Sequence, residues 1–376
     1  MPALRPDVDP DGLLEYSVVF TDRSLNHMSK AFQGVMHDID RTLREVYRAD
    51  GVAIVPGGGT FGMEAVARQF TADGHALVVR NGWFSYRWTQ ILEAAGLAPG
   101  HTVLRARRTA EDPRAPFAPV PAEEVAERIR TERPAVVFAP HVETSAGILL
   151  PDDYVRTVAA ATREVDGLFV LDCIASGALW VDMRVLGVDV LISAPQKGWS
   201  ASPCSGLVLL GERAEARLAT TRSNSFACDL GKWREIMRAY ENGGHAYHAT
   251  MPTDALRRFR DAMLETREDG FDAVRAAQVE LGSRVRGMLK ERGFTSVAAE
   301  GFEAPGVVVS YTEDPDLKNG SRLLAHGLQI AAGVPLMCDE GEDFSTFRIG
   351  LFGLDKLHDV DGAVARLAQR LDAALG

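Results

Sequence analysis

From Gly51 to Leu210, short apolar runs alternate with segments of helical spacing, and this rhythm limits the folds open to the chain. GVAIVP, ALVVR, HTVLRA, AVVFAP, LFVLDC and VLIS are each of a length that suits a buried strand. Between them lie GMEAVARQF, SYRWTQILEAAG, PAEEVAERIRTERP and DDYVRTVAAATREVDG, which read as helices. Such alternation predicts an α/β fold, a mostly parallel sheet covered by helices on both faces. Ligands of such sheets sit at the carboxyl ends of the strands. Four polar stretches fall at those ends here: PGGGT, HVETSAG, Asp172 and Lys197.

The flanks read differently. Residues 1–20 form an irregular arm closing on a short extended piece, YSVVF. Ser29 is placed to cap a helix over Lys30–Tyr47, with Phe32, Val35, Met36, Ile39, Leu43 and Val46 on one face. Beyond Gly211 the chain is irregular through RSNSFACDL and ENGGHAYHATMP. One long helical region is expected from Thr253 to about Arg292, then a strand at Val307–Tyr311 and a helix at Leu323–His326. STFRIGLFG is a further strand, and HDVDGAVARLAQRLDAAL a terminal amphipathic helix. The expected organisation is an arm over 1–20, a large domain over 21–260 and a small α+β domain over 261–376. No repeat or low-complexity tract interrupts it.

At 376 residues the chain suits two domains. Its formal charge of −11 argues against nucleic acid as a partner. No apolar run reaches membrane length, and the first residues do not resemble a signal peptide. Cys173, Cys204, Cys228 and Cys338 are scattered without metal-ligand spacing. A reduced, cytoplasmic setting is the expectation, with no metal.

The stretch VLISAPQKGWSASP concentrates the chemistry. A lysine at the mouth of a buried strand is costly without a task or partner. Lys197 follows the strand ending in Asp172 by one connection and one further strand, so the two can converge on one ligand. Either alone is compatible with a surface lysine and an acidic turn cap. Together they point to pyridoxal phosphate, with Lys197 in Schiff-base linkage and Asp172 at the ring nitrogen. In PGGGTFGMEA, Gly57, Gly58 and Gly59 let the backbone approach an anion before a helix N-terminus, and Thr60 adds a hydroxyl. Such turns are also often structural. Trp83 or Phe84 offers a ring to stack on a planar cofactor, or closes the core. Thr144 and Ser145 offer hydroxyls for a phenolic oxygen, and His141 reads as a hydrogen-bonded core histidine. Arg348, inside an apolar strand, suits a substrate carboxylate or pairs with Asp343 or Glu342.

HVETSAGIL, LDCIASGALWVD, SAPQKG, YHATMP and FRIGLFG, in this order, resemble the class V, fold-type I pyridoxal-phosphate-dependent aminotransferases. The resemblance spans about Val52 to Leu351 and is to the alanine–glyoxylate, serine–pyruvate and 2-aminoethylphosphonate–pyruvate branch. It implies a homodimer that moves an amino group from an amino acid to a 2-oxo acid. It implies phosphate ligation by Gly58, Gly59 and Thr60, ring stacking by Phe84, and contact of Ser145 with the phenolic oxygen. Ile174 would pack beneath the ring and Gln196 beside Lys197. Tyr247 and Thr250 would reach the phosphate of the neighbouring subunit's cofactor, and Arg348 would hold the substrate carboxylate. The chain has Phe84 where the family usually stacks a tryptophan or another aromatic, with Trp83 one position earlier. VVFTDRSLNHMS also replaces the usual GPGP-like loop, which helps line the substrate pocket.

Arg23, in that loop, is a candidate for a second anionic group on the substrate, or a solvated loop residue. The alternative on the same fold is a lyase or a cysteine-desulfurase-like enzyme, for which Cys338 would be the nucleophile. A nucleotide-dependent oxidoreductase using PGGGT would leave Lys197, Asp172 and Arg348 unexplained together. A silent binding protein would leave the same set without use.

Overall fold

The computed structural model describes residues 5–376 apart from 73 and 99, so the first four residues of the expected arm lie outside it. Seven strands form the central sheet: β1 (Gly51–Pro56), β2 (Ala76–Arg80), β3 (His101–Arg105), β4 (Val136–Pro140), β5 (Leu168–Asp172), β6 (Val190–Ser193) and β7 (Ser205–Leu210). Their spatial order is β1-β7-β6-β5-β4-β2-β3. Only β7 runs against its neighbours, pairing antiparallel with β1 and β6. The remaining pairs are parallel. The near-continuous Val/Leu/Ile content of these strands fits burial on both faces, and β2, β4 and β5 are buried at every residue.

Helices α1 (Lys30–Tyr47), α2 (Gly59–Phe70), α3 (Trp83–Ala94), α4 (Ala122–Glu132) and α5 (Asp152–Glu164) cover the sheet. Helix α1 begins as expected, with Ser29 Oγ accepting from Phe32 N at 3.1 Å. Helix α2 lies close on the sheet because glycine faces glycine. A Cβ on Gly206 would stand 2.7 Å from Gly62 N and 2.9 Å from Gly58 O.

Helix α6 (Leu230–Glu241) is followed by α7 (Thr253–Asp269) and α8 (Phe271–Glu291). The single helical region expected over 253–292 is thus two helices. Gly270 has φ +89°, which no helix continues through. The expected extended piece YSVVF is no strand. Tyr16 and Val18 project into solvent, and no sheet edge receives the segment. A second sheet holds β8 (Val307–Tyr311), β9 (Ala331–Ala332) and β10 (Thr346–Gly350), with β10 central and both pairings antiparallel. Its two faces bury different sets. Val308, Phe347 and Ile349 pack with Leu281 and Val285 of α8 and with Leu367 and Leu371 of the terminal helix α9 (Val360–Leu375). Val307, Val309 and Tyr311 pack with Val142, Ala146 and Ile148 beside the main sheet. This second contact brings β10 up to the rim where β4, β5 and β6 end. Among the described residues no helix is long and apolar enough to cross a membrane, and no cluster of His, Cys, Asp and Glu could hold a metal ion.

Candidate active site

Asp172 is the last residue of β5, in register with Ile192 of β6 and Pro140 of β4. Its Oδ1 accepts from Ile174 N at 2.9 Å. Burial is the main force on the carboxyl and pushes it up to about 7; nearby Glu143 adds to this, while Arg87 and Lys197 oppose it. A buried acid poised there answers a positive charge placed beside it.

Lys197 lies in the turn after β6. The turn is tight: Ala201 N donates to Pro195 O at 3.0 Å, and Ser200 has φ +55°. Trp199 is fully buried, tilted against Trp180 at 4.7 Å, and anchors the turn. Gly198 is sterically required, since a Cβ there would stand 2.0 Å from Gly177 O. Lys197 Nζ sits 5.0 Å from the Phe352 ring centroid and makes no ion pair among the described residues. Burial first, then Arg348 and Arg87, hold the amine below the ordinary lysine range. Beside it, Gln196 Oε1 is buried without a donor.

The glycine turn leads from β1 into α2. Gly57 has φ +123°, and a Cβ on Gly59 would fall 2.6 Å from Ile174 Cδ1. The phosphate candidates Gly58, Gly59 and Thr60 therefore pack against the segment that carries Ile174. Thr60 is exposed, and its hydroxyl accepts from Arg87 Nη1 at 3.0 Å.

Arg348, on β10, faces this rim. Its Nε donates to Ala332 O at 2.8 Å and its Nη1 to Thr144 O at 3.4 Å. Neither Asp343 nor Glu342 pairs with it. Its guanidinium lies 5.5 Å from the Phe84 ring centroid, and Arg87 lies 4.9 Å from the same ring.

Two residues escaped the sequence reading. Glu143 is fully buried and holds the start of α3. Its Oε1 accepts from Phe84 N at 3.2 Å, and its Oε2 from Ser85 N at 2.9 Å and Ser85 Oγ at 2.7 Å. This carboxylate starts α3 at Trp83, two residues earlier than expected, and it holds Phe84 in place. A negative charge at a helix N-terminus is favourable on its own account. Its only sequence signal was its place within HVETSAG. Arg87 is the other, visible only as a cation one helical turn after Phe84.

Ser145 belongs to the same cap. Its hydroxyl donates to Glu143 Oε1 at 2.7 Å and accepts from Trp83 N at 2.9 Å. Its one proton is therefore engaged within the protein, whereas the neighbouring Thr144 hydroxyl has no partner among the described residues. His141 is buried, with Nδ1 at 2.7 Å from Ser176 Oγ, and burial pushes it down to about 4. It is the core histidine expected. Cys338 is buried, bonded to Arg80 O, and pushed up to about 12 by burial, unlike the exposed thiolate a desulfurase requires. Arg23 is 71% exposed beside Asp22. Tyr247 and Thr250 lie exposed between α6 and α7, with their hydroxyls 3.1 Å apart.

The donor set fits pyridoxal phosphate: an anion cradle, a flanking ring, a buried acid, an unpaired amine and an orphaned amide oxygen. No protein-family model matches the chain. A 2-aminoethylphosphonate–pyruvate transaminase from Paraburkholderia phymatum is 30% identical over 353 residues, covering 91% of this chain and 90% of that protein. Alanine–glyoxylate aminotransferase 1 of Saccharomyces cerevisiae is 25% identical, covering 83% of this chain and 82% of that one. The crystal structure of an alanine–glyoxylate aminotransferase from Nostoc sp. superimposes with a TM-score of 0.77 at 22% identity, over 94% of this chain and 89% of that one. The fold is that of the fold-type I transferases. Within it, the chain belongs to the class V aminotransferase family, and it is an aminotransferase.

Proposed function

We propose that pyridoxal phosphate is the cofactor of this enzyme, and that an amino acid and a small 2-oxo acid such as pyruvate or glyoxylate are its substrates. Aminotransferases of this fold use that cofactor, and the names of two relatives include pyruvate and glyoxylate. The observation that carries the reading is the meeting of Asp172, Lys197 and Arg348 at one rim, none ion-paired among the described residues.

When bound, the cofactor supplies a conjugated ring that takes up the electron pair released at the substrate Cα. The chain's own residues do the rest. Gly58, Gly59 and Thr60 cradle the phosphate at the start of α2. Phe84 and Ile174 would supply the apolar contacts to the ring. Asp172 keeps the ring nitrogen protonated, and the cation there in turn draws the carboxyl into its ionised form. The Thr144 hydroxyl, free where that of Ser145 is engaged, is the better donor to the phenolic oxygen. Lys197, whose amine burial and then Arg348 and Arg87 hold below the ordinary lysine range, is the group placed to take and return a proton at Cα. Gln196 orients it. Arg348 grips the substrate carboxylate with two parallel N–H donors.

The same reading includes a homodimer in which Tyr247 and Thr250 act on the neighbouring site. It also includes a division into an arm over 1–20, a large domain over 21–260 and a small one over 261–376. A cytoplasmic location belongs to it as well.

The test is borohydride reduction of the purified protein followed by peptide mapping. The expected label is on Lys197, and Lys197→Ala should lose label and turnover together. Label on another lysine would overturn the assignment.

A further inference from the structure

We infer that Arg87 is the fixed positive charge at the phosphate end of the site, and that it selects a phosphorylated cofactor over its unphosphorylated form. The inference rests on the cofactor reading above and goes beyond it in naming the cation.

A bound phosphate monoester carries a charge of about −1.5 to −2 at neutral pH. The cradle itself offers backbone N–H groups, one hydroxyl and a helix N-terminus equivalent to about +0.5 charge. Gly57–Thr60 contains no basic residue. Most of the compensating charge must come from another element. Helix α3 brings it. Arg87 Nη1 donates to Thr60 Oγ1 at 3.0 Å, so the guanidinium already touches the cradle. Its plane is steadied over the Phe84 ring at 4.9 Å. Phe84 is itself fixed by Glu143, which holds its backbone N–H. The cation is thus held by the residue that flanks the ring and by the residue that cradles the phosphate.

Arg87 forms no salt bridge among the described residues, whereas Arg68 on neighbouring α2 is paired with Glu64 at 2.7 Å. Three cations, Arg87, Lys197 and Arg348, stand against two acids, Asp172 and Glu143, at this rim, and burial first and then both arginines hold the Lys197 amine down. A dianion beside Thr60 relieves that excess. A planar fork also meets two phosphate oxygens with parallel N–H donors, a geometry that neither the single Thr60 hydroxyl nor the point charge of a lysine ammonium reproduces.

The experiment compares pyridoxal phosphate with pyridoxal as ligands of the cofactor-stripped full-length chain, read by the visible absorbance of the bound form. Arg87→Gln should weaken pyridoxal phosphate by about 10- to 100-fold and pyridoxal by no more than about 2-fold. Inorganic phosphate should compete with pyridoxal phosphate for the wild type more strongly than for the variant. Arg87→Lys, which keeps the charge without the fork, should fall between the two. Equal losses for both ligands, or no loss for either, would overturn the role of Arg87. A wild-type chain that binds neither ligand would overturn the cofactor reading itself.

Discussion

Asp172 shows how a single residue couples the site to stability. An ordinary aspartate carboxyl titrates near 3.8, and burial in the folded chain pushes this one up to about 7. Between those values the cofactor-free folded chain holds a proton that the unfolded chain has lost. The stability from this group is therefore complete below about pH 4 and falls away as pH rises through about 7, by up to roughly 4 kcal/mol. Asp172→Asn cannot titrate. Denaturant unfolding of the cofactor-free proteins at about pH 4.5 and about pH 8 should show the wild type losing several kcal/mol relative to the variant. Parallel pH profiles would reject the shifted carboxyl. The residues legible from sequence were those whose chemistry clashes with their surroundings: an acid, a lysine and an arginine at or in apolar strands. Glu143 and Arg87 were not legible, because each is defined by partners distant in the chain.

At the scale of elements, the cradle depends on how closely α2 approaches the sheet. The atoms facing a Cβ on Gly206 are backbone atoms of Gly62 and Gly58, which cannot swing aside. Gly206→Ala should therefore push α2 and the cradle outward, costing about 1–3 kcal/mol as overpacking does. Gly34, inside α1, has open space where a Cβ would stand, with nothing within 4 Å, so Gly34→Ala should be neutral or stabilise by up to about 1 kcal/mol. Chemical denaturation checks both, and equal effects would remove close approach as the cause. Strand–helix alternation was readable because periodicity is local. The break at Gly270 and the early start of α3 were not. One requires a backbone angle, and the other a cap from a different strand.

At the scale of the molecule, Leu13, Leu14, Tyr16, Val18, Phe226 and Tyr247 are exposed on the single chain. Exposed apolar groups of this kind favour covering by a partner, and the proposed homodimer provides one. If Tyr247 serves the neighbouring site, a Lys197→Ala subunit and an inactivating Tyr247 variant should complement each other. Random reassociation should restore about a quarter of wild-type sites, one in each mixed dimer. No regain on mixing, or an active enzyme that light scattering finds strictly monomeric, would exclude shared sites.

The sequence alone determined the α/β architecture, and it marked Asp172, Lys197 and Arg348 as candidate site residues at or in its strands. Period, strand length and misplaced charge are properties of neighbours along the chain, and they survive without coordinates. Tertiary structure decided which polar atoms are free. It committed the Ser145 proton to Glu143, left the Thr144 hydroxyl open, and buried Cys338 away from any role as an exposed thiolate. It set Arg87 between Phe84 and Thr60. Hydrogen-bond partnership and desolvation act through space, so residues far apart in the chain settle them only once the sheet has brought them together.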